Sequence, residues 1–535
     1  MGFSVQITAA ATGPDPNNLG YTWSVSSSDA GVIGVLGQTQ DEAAGPTDTV
    51  PFLCTAPGTA TITVTIDDGP VADGGVCPSN LTTTSTTVTC DAVPANQVAA
   101  AWVEIGSGNA TIARAVTAAA SCPTIAVNGV SQSMNLRSAA GTVPLRTTAS
   151  TPALSKPSVF PVQTCEMTLP AGTTSAVVGG KTLPLPKASP QTIVVIGDTG
   201  CRMKSSGAQW QACSDPTQWP FQRMANLAAS LHPDVVLHVG DYHYRENECP
   251  PSLAGCAGSP WGYGWDVWEA DLFQPGASLL AAAPWIMVRG NHEQCTRGGQ
   301  GWYRFLDTKA YNTSNNCDNP ANDTQASYSD PYSVALGATS QVIVFDSSNV
   351  GSSALSPSNS VFTTYQTELQ EAANLATNPN IFNIWTNHHP LLGFTPATGT
   401  PPTGGNPALL SVMAATYPGT YYPPNINLAL HGHTHLFETI DFASTSLPAT
   451  IVTGTGGDAL DVTLPNPFDL TLQPAAGATV ANIADAANFG FLFMQYQPAS
   501  STWLITAYRV DGTVRDTCTA NLNGQISCTS WGYLN

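Results

Sequence analysis

Five short apolar runs in the second half of this chain each end in a cluster of polar residues. Their length and composition are typical of buried β-strands: TIVVIG (192–197), DVVLHVG (234–240), PWIMVRG (284–290), IFNIWTN (381–387) and INLALHG (426–432). Apolar residues at helical spacing lie between them, at 221–231 and 361–377. This alternation of strands and helices predicts an α/β core that begins near residue 191.

The polar clusters contain side chains that are suited to bind metal. The clusters are GDTG (197–200), GDYHY (240–244), GNHE (290–293), NHHP (387–390) and GHTH (432–435). In an open α/β sheet the ligand site lies beyond the carboxyl ends of the strands, so clusters that are distant in the chain can meet there. Glycine precedes the first ligand in four of the clusters, where we expect it to let the backbone turn sharply.

The candidate ligands are too numerous for one ion: Asp198, Asp241, Tyr244, Asn291, His388, His433 and His435. Two ions about 3.5–4 Å apart need a bridging carboxylate and several further N or O ligands. The set therefore predicts a pair of ions, and the absence of cysteine from the ligands favours iron, manganese or zinc.

All five clusters, in this order, resemble the motifs of the calcineurin-like metallophosphoesterases, over roughly residues 191 to 440. That family generally has Asp-x-His in the first cluster, where this chain has Asp198-Thr199-Gly200. In its purple acid phosphatases, a tyrosine three residues after the second aspartate replaces the missing histidine, and Tyr244 has this spacing from Asp241. The resemblance implies an α/β (α+β) metallophosphoesterase core, in which a two-sheet β-sandwich is flanked by helices.

The resemblance also divides the ligands between two positions. Asp241 would bridge the ions, with Asp198, Tyr244 and His435 at one position and Asn291, His388 and His433 at the other. A tyrosinate ligand suits Fe(III), so the implied cofactor is two metal ions, Fe(III) with a divalent Fe, Zn or Mn. His243 or Tyr242 could take the place of Tyr244, and His431 is more typical of a packed or supporting residue.

The family chemistry implies hydrolysis of a phosphate ester by a metal-activated water, with Asp241 and His292 as the catalytic residues. His292 matches the histidine that protonates the leaving group or holds the phosphate, and an imidazole with a pKa near 6.5 suits that role. Alternatively, it only orients Asn291. The candidate substrate-binding residues are Arg202, Arg245, Arg289 and His389. The arginines could instead pair with structural acids such as Glu246 or Glu293, and His389 could simply line the wall.

Two segments near the clusters each allow two interpretations. The aromatic run 261–268 could stack on an aromatic leaving group or could simply be packed. The Pro- and Gly-rich loop 393–405 could be a lid or an ordinary connector.

The first 190 residues have a different pattern. Alternating runs such as YTWSV (21–25) and TATITVTI (59–66) predict an immunoglobulin-like β-sandwich over residues 1–95. Residues 96–190 predict a second β-rich domain that ends in the Pro-rich linker 181–190. Residues 191–535 then form the phosphoesterase domain, and strands after residue 440 complete its two sheets.

Cysteine pairs predict an oxidising compartment. Of thirteen cysteines, ten make plausible pairs at Cys122/Cys165, Cys201/Cys213, Cys249/Cys256, Cys295/Cys317 and Cys518/Cys528. Cys54, Cys77 and Cys90 leave the pairing ambiguous. No apolar run approaches the roughly 20 residues of a membrane span, and Met1 leads directly into a strand pattern. We therefore interpret the chain as a mature or truncated form, without a signal peptide, of a secreted, periplasmic or cell-surface protein.

The net charge of the chain limits the classes of partner and function that we expect. With 16 Lys and Arg against 36 Asp and Glu, the formal charge of −20 argues against binding to nucleic acid, beyond a possible nucleotide substrate. We expect a phosphate-ester substrate and a phosphomonoesterase of the acid phosphatase type. The same ligands would serve a phosphodiesterase or nucleotidase. The alternative from another class is a surface adhesion or glycan-binding protein with a vestigial metal domain.

Overall fold

The computed structural model describes residues 4–10, 20–27, 34–36, 47–54, 58–67, 82–90 and 97–534. The first six strands are β1 (Ser4–Ala10), β2 (Gly20–Ser27), β3 (Gly34–Leu36), β4 (Thr47–Cys54), β5 (Gly58–Asp67) and β6 (Thr82–Cys90). They form two three-stranded antiparallel sheets, in the orders β1-β4-β3 and β2-β5-β6. Alternate residues such as Trp23, Phe52 and Ile62 share one small core. Two packed sheets thus lie where the sequence predicts a β-sandwich, and the immunoglobulin-like class stays a prediction.

The next strands lie between residues 97 and 190. They are β7 (Ala100–Ile105), β8 (Thr111–Thr117), β9 (Thr124–Val127), β10 (Val130–Ser133), β11 (Asn135–Ser138), β12 (Gly141–Val143), β13 (Ser158–Phe160), β14 (Gln163–Thr168), β15 (Ala176–Val178) and β16 (Lys181–Thr182). β10, β9, β15 and β16 form a small sheet of their own, whereas β11, β14, β8 and β7 form one end of a much larger sheet.

The remaining strands are β17 (Thr192–Ile196), β18 (Met203–Lys204), β19 (Gln209–Trp210), β20 (Val235–His238), β21 (Trp285–Met287), β22 (Tyr332–Ala335), β23 (Ser340–Val344), β24 (Phe382–Thr386), β25 (Phe394–Ala397), β26 (Thr400–Gly404), β27 (Ile426–His431), β28 (Phe437–Phe442), β29 (Ala449–Thr453), β30 (Val480–Ala486), β31 (Gly490–Gln497), β32 (Thr502–Arg509), β33 (Val514–Ala520), β34 (Ile526–Cys528) and β35 (Gly532–Tyr533). The five predicted buried strands correspond to β17, β20, β21, β24 and β27. Four of these, all but β17, pair in parallel with both neighbouring strands, and β17 is parallel to β20 but antiparallel to β31. In parallel groups both faces of a strand are covered, which accounts for their almost entirely apolar residues.

Two large sheets pack face to face. The first has eleven strands in the order β11-β14-β8-β7-β21-β20-β17-β31-β32-β33-β34, and the second has eight in the order β22-β23-β24-β27-β29-β28-β30-β35. One core lies between them, with Val195 and Leu237 from the first sheet and Ile384 and Leu430 from the second.

The larger sheet crosses the predicted domain boundary near residue 190. β7 pairs in parallel with β21 through Glu104 and Trp285. Trp102 of β7 is fully buried, with its ring centroid 5.0 Å from that of Phe273. Residues 97–190 therefore share a sheet and a core with the following residues, and the division into three domains stays a prediction.

Seven α-helices complete the described part of the chain: α1 (Phe221–Ser230), α2 (Trp265–Trp268), α3 (Ala277–Ala282), α4 (Gly299–Phe305), α5 (Asp323–Ala326), α6 (Ser360–Leu375) and α7 (Pro407–Thr416). α1 and α3 cover the outer face of the first sheet, with Phe221 and Leu279 in its outer core. α6 and α7 cover the second sheet, with Phe362 and Val412 in the corresponding core. The predicted two-sheet sandwich flanked by helices is confirmed.

All five predicted disulfides are present: Cys122–Cys165, Cys201–Cys213, Cys249–Cys256, Cys295–Cys317 and Cys518–Cys528. The pairing of Cys54, Cys77 and Cys90 lies outside the described residues and side chains. Among the helices described, none is long and apolar enough to cross a membrane.

Candidate metal centre

The five polar clusters meet where the two large sheets end side by side. The first three clusters follow β17, β20 and β21 of one sheet, and the last two follow β24 and β27 of the other. Contacts across the sheets join them: the His433 amide donates to both Asp198 carboxylate oxygens, at 3.1 and 3.0 Å. We predicted that the clusters meet from the geometry of one open sheet. In the structure, the strand ends that meet belong to two sheets that face each other.

One half of the site is centred on the Tyr244 hydroxyl. This oxygen lies 2.8 Å from Asp198 Oδ1, 2.9 Å from Asp241 Oδ2 and 2.9 Å from His435 Nε2. The two alternatives to Tyr244 are bonded elsewhere, since the Tyr242 hydroxyl donates to the Val288 carbonyl and His243 Nε2 donates to the Gly262 carbonyl. The structure therefore brings Tyr244, rather than its neighbours, to the other ligands.

The other half joins the second sheet to Asp241. His388 Nε2 lies 3.0 Å from Asp241 Oδ2, and His433 Nδ1 lies 2.9 Å from Asn291 Oδ1. Ligand atoms of Asp241, His388 and His433 all lie within 4.8 Å of one another. His431, predicted to be packed or supporting, bonds instead to Tyr422 and to the Asn387 carbonyl.

The orientation of His388 suits a metal ligand. Its Nδ1 donates to the Val239 carbonyl at 2.9 Å, which leaves the lone pair of a neutral ring on Nε2. That Nε2 is buried and makes no hydrogen bond of good geometry with any described residue. The buried oxygen and nitrogen donors on both sides of Asp241 thus fit a pair of borderline or hard cations.

Two glycines lie where the backbone packs too closely against candidate ligands for a Cβ to fit. A Cβ on Gly290 would lie 2.0 Å from Asp241 Oδ1, and one on Gly432 would lie 2.4 Å from Asp198 Oδ2. Of the four glycines expected to provide a turn, Gly240 has a positive φ, of 102°, whereas Gly197, Gly290 and Gly432 do not.

The left-handed conformation is instead adopted by three candidate ligands, Asp198 (φ 57°), Asp241 (φ 57°) and His433 (φ 70°). Such conformations carry a cost and persist where the surrounding structure enforces them, as at functional sites.

The electrostatics of the site favour added positive charge. Burial, with the charges of Asp198 and Asp241, raises the pKa of Tyr244 well above its usual value. Burial alone would lower the pKa of His388 and of His435, but neighbouring carboxylates outweigh it and raise both values to about 9. The carboxylates therefore retain protons on their neighbours, in positions where cations could replace those protons.

Two buried acids beyond the motif ligands hold the site in place. Glu293 accepts the amide hydrogens of Asp241, Tyr242 and Gly290, at 3.1, 2.9 and 3.1 Å. Asp458 accepts from Arg202 Nε at 3.0 Å and lies 3.3 Å from His435 Nδ1. Asp458 is not among the residues predicted from the sequence, although it follows β29 in a GGD sequence much like the other clusters.

Two of the predicted substrate-binding residues have internal hydrogen-bond partners. Arg245 Nε donates to Asp271 at 2.6 Å, and both side chains are buried. Arg289 donates to the carbonyls of Glu293 and Ala326, each at 2.9 Å. These contacts favour the alternative of structural pairing, with Asp271 as the acid of Arg245, and the substrate-binding role of both arginines stays a prediction.

The other two predicted substrate-binding residues lie beside the ligands. Arg202 is 20% exposed, and its guanidinium is 5.6 Å from the centroid of the Tyr244 ring. The His389 ring is buried, 4.3 Å from that of His433, and its Nδ1 lies 3.1 Å from Ser347 Oγ. The substrate-binding roles of Arg202 and His389 stay predictions.

His292 lies over the centre with a cation that the sequence analysis missed. Its ring is 3.9 Å from the Tyr244 ring, and its Nε2 lies 3.8 Å from Asp241 Oδ2. Arg297 Nη2 lies 2.6 Å from Nε2 and 2.9 Å from Nδ1 of His292. Burial and the Arg297 charge lower the pKa of His292 well below its usual value, and the role of His292 as acid or phosphate donor stays a prediction.

The aromatic run is packed, and the Pro- and Gly-rich loop is anchored at its first strand. Trp261, Trp265 and Trp268 are all buried, so the aromatic run belongs to the core. The loop 393–405 forms the β25–β26 hairpin, and Glu438 accepts the amide hydrogen of Phe394 at 3.1 Å. These contacts favour a connector over a lid.

Comparisons with known proteins agree with this architecture. Residues 191–437 match the family model described as calcineurin-like phosphoesterase. No curated protein sequence matches the chain. Purple acid phosphatase PPD1 from yellow lupin (Lupinus luteus) seeds is similar over 97% of this chain and 94% of its own, with 15% identity and a TM-score of 0.52. At that identity the likeness concerns the fold.

Two further solved structures are more distant. PhoD is similar over 84% of this chain and 96% of its own, at 12% identity and a TM-score of 0.47. GAP50, the anchor in the inner membrane complex of Plasmodium, covers 62% of this chain and 89% of its own, at 12% identity and a TM-score of 0.33. Residues 191–437 are therefore a calcineurin-like phosphoesterase domain, and the chain has a fold similar to that of a purple acid phosphatase.

Proposed function

We propose that this chain is a phosphomonoesterase of the acid phosphatase type that uses a dinuclear metal centre. The observation that supports this most is the position of one carboxylate between two groups of donors. Asp241 Oδ2 lies 2.9 Å from the Tyr244 hydroxyl and 3.0 Å from His388 Nε2. A carboxylate that faces both halves is the bridge that a pair of ions requires.

The proposed ligands form two sets that share Asp241. Asp198, Tyr244 and His435 would hold one ion, and Asn291, His388 and His433 the other. Fe(III) beside tyrosinate, with a divalent Fe, Zn or Mn, suits these donors. When bound, the ions would bind the phosphate oxygens and supply a water of lowered pKa as the nucleophile.

His292 is the proposed general acid or phosphate donor. Its side chain is 10% exposed, and its Nε2 faces the centre near Asp241. A bound phosphate dianion would raise the pKa of this ring, because a nearby negative charge favours the imidazolium. The ring could then hold a proton at Nε2 and donate it to the leaving oxygen.

Arg202 and His389 are proposed to contact substrate at the edge of the site. Arg202 is anchored by Asp458 and still exposes a fifth of its side chain. A fixed guanidinium loses little entropy when it binds a phosphate oxygen.

The protein's setting is proposed from its covalent structure. Five disulfides are consistent with an extracellular or secreted protein. We propose export to the periplasm, the cell surface or the medium, with the N-terminal sheets as a spacer.

The test compares the rates at which the metal-loaded protein hydrolyses an aryl phosphomonoester and the matching diester, from about pH 4 to 9. Preference for the monoester at acidic pH is the expected result. Preference for the diester, or an alkaline optimum, would assign the site to a phosphodiesterase or nucleotidase. If neither ester is hydrolysed, and Asp241→Asn leaves binding to a surface partner unchanged, the chain is an adhesion or glycan-binding protein.

A further inference from the structure

Arg297 is a buried cation near the centre that lies outside the motif clusters. Its side chain is 11% exposed, and Glu246, which is 3% exposed, anchors Nε. The other edge of the guanidinium faces His292, where Nη2 lies within 2.9 Å of both ring nitrogens. Because Glu246 holds one edge, the other edge is fixed in orientation rather than free to move.

The edge of the Arg297 guanidinium that contacts His292 lies on the side of the centre where we expect substrate to bind. The His292 ring packs against the Tyr244 ring, with centroids 3.9 Å apart, and His292 Nε2 is 3.8 Å from Asp241 Oδ2. Asn291 and His433 are partly exposed beside it, so this side is the open side of the site. By contrast, Arg245 donates to Asp271, and Arg289 donates to the Glu293 carbonyl.

The two ester classes differ in what they offer to such a cation. A phosphomonoester dianion has three terminal oxygens and two negative charges, whereas a diester has two terminal oxygens and one charge. A fixed guanidinium near the centre can donate a charge-assisted hydrogen bond to an additional terminal oxygen. In a diester, a second organic group occupies that place and offers no comparable acceptor.

We propose that Arg297, fixed by Glu246, binds a terminal phosphate oxygen together with His292 and sets the preference for phosphomonoesters over phosphodiesters. This inference rests on the proposed phosphatase function and adds the residue that selects the substrate class. It also explains the position of a guanidinium against the His292 ring, where it can bind an anion shared between the two groups.

The experiment uses the full-length, metal-loaded protein and two measurements. The first is the dissociation constant of inorganic phosphate, by isothermal titration calorimetry. The second is the ratio of kcat/KM for an aryl phosphomonoester to that for the matching diester. The variants are Arg297→Gln, Arg297→Lys and the double variant Arg297→Gln/Glu246→Gln, which avoids a buried unpaired acid. Arg223→Gln, which removes an exposed arginine of α1, is the matched control.

We expect Arg297→Gln to weaken phosphate binding about tenfold or more, because a hydrogen bond to a charged group is lost. The monoester-to-diester ratio should fall by a similar factor. Arg297→Lys should recover part of both, since it keeps the charge without the planar fork. Arg223→Gln should match the wild type. If Arg297→Gln does not fold, the lysine and double variants carry the same test.

An unchanged phosphate dissociation constant, or an equal loss of both esterase activities, would overturn the inference and leave Arg297 as a structural partner of His292. If the wild type hydrolyses neither ester but binds phosphate in a manner that depends on Arg297, phosphate recognition by Arg297 is supported and the proposed function fails. The two failures are therefore distinguishable.

Discussion

Replacing Gly290 with alanine tests whether the ligand clusters depend on close backbone contact. An ideal Cβ at this position would lie 2.0 Å from Asp241 Oδ1 and 2.3 Å from the Asp241 amide nitrogen, whereas real Cβ atoms essentially never approach other atoms within 3.0 Å. The two strand ends must therefore separate by about 1 Å. Glu293 binds the amides of both Gly290 and Asp241, so it cannot keep both hydrogen bonds after that shift.

The expected magnitude follows from this displacement. Overpacking of this kind costs about 1–3 kcal/mol of stability. A shift of about 1 Å in a catalytic group lowers the rate about 100-fold. The assays are metal content per chain by mass spectrometry, kcat/KM for an aryl phosphomonoester, and the thermal unfolding midpoint.

Gly351→Ala is the matched control, because a Cβ there meets no atom of the described residues within 4 Å and its φ is not positive. We expect it to behave as the wild type. If Gly290→Ala keeps its full metal content and a rate within about twofold of the wild type, then close contact between the clusters is not required and the reasoning is refuted.

Other perturbations test separate parts of the site. Tyr244→Phe should abolish any visible absorption from a metal tyrosinate, because it removes the phenol oxygen that lies within 2.9 Å of Asp198 and His435; a band that persists would exclude Tyr244 as a ligand. In metal-free protein, the pKa values of His388 and His435 are raised from 6.5 to about 9, so their contribution to stability is complete below about pH 6.5 and is lost as the pH rises to about 9. Urea unfolding at several pH values measures this, and metal addition at pH 7 should release protons; no proton release would contradict the assignment. Arg245→Gln should lower stability by about 3–5 kcal/mol, since it leaves the buried Asp271 carboxylate without its cation, while phosphate affinity stays unchanged. A stable variant with weaker phosphate binding would support Arg245 as a substrate residue.

The sequence predicts the local features of this fold well. Each of the five buried strands is a short apolar run, and each candidate ligand follows one directly, so burial and position in the chain suffice to find them. The disulfides were predictable for a similar reason, since four of the five pairs are close in sequence.

Features that depend on distant partners could not be read from the sequence. β7 joins the large sheet through one residue pair, Glu104 with Trp285, across about 180 residues, and nothing local marks that contact. The hydrogen-bond partners of the arginines could not be predicted for the same reason. Arg245 is adjacent to a ligand and yet binds Asp271, whereas Arg297 lies in a loop and reaches His292. Sequence proximity does not reveal which buried acid anchors a guanidinium.

The number of metal ions bound per chain is the most direct test of whether the site holds a dinuclear centre that shares Asp241. Native mass spectrometry and elemental analysis would be applied to the metal-loaded wild type and to Asp241→Asn, whose side chain keeps its size but loses the shared carboxylate. The account predicts two ions per chain in the wild type and the loss of at least one in the variant. A wild-type protein that holds no stoichiometric metal, or a variant that keeps both ions, would contradict it.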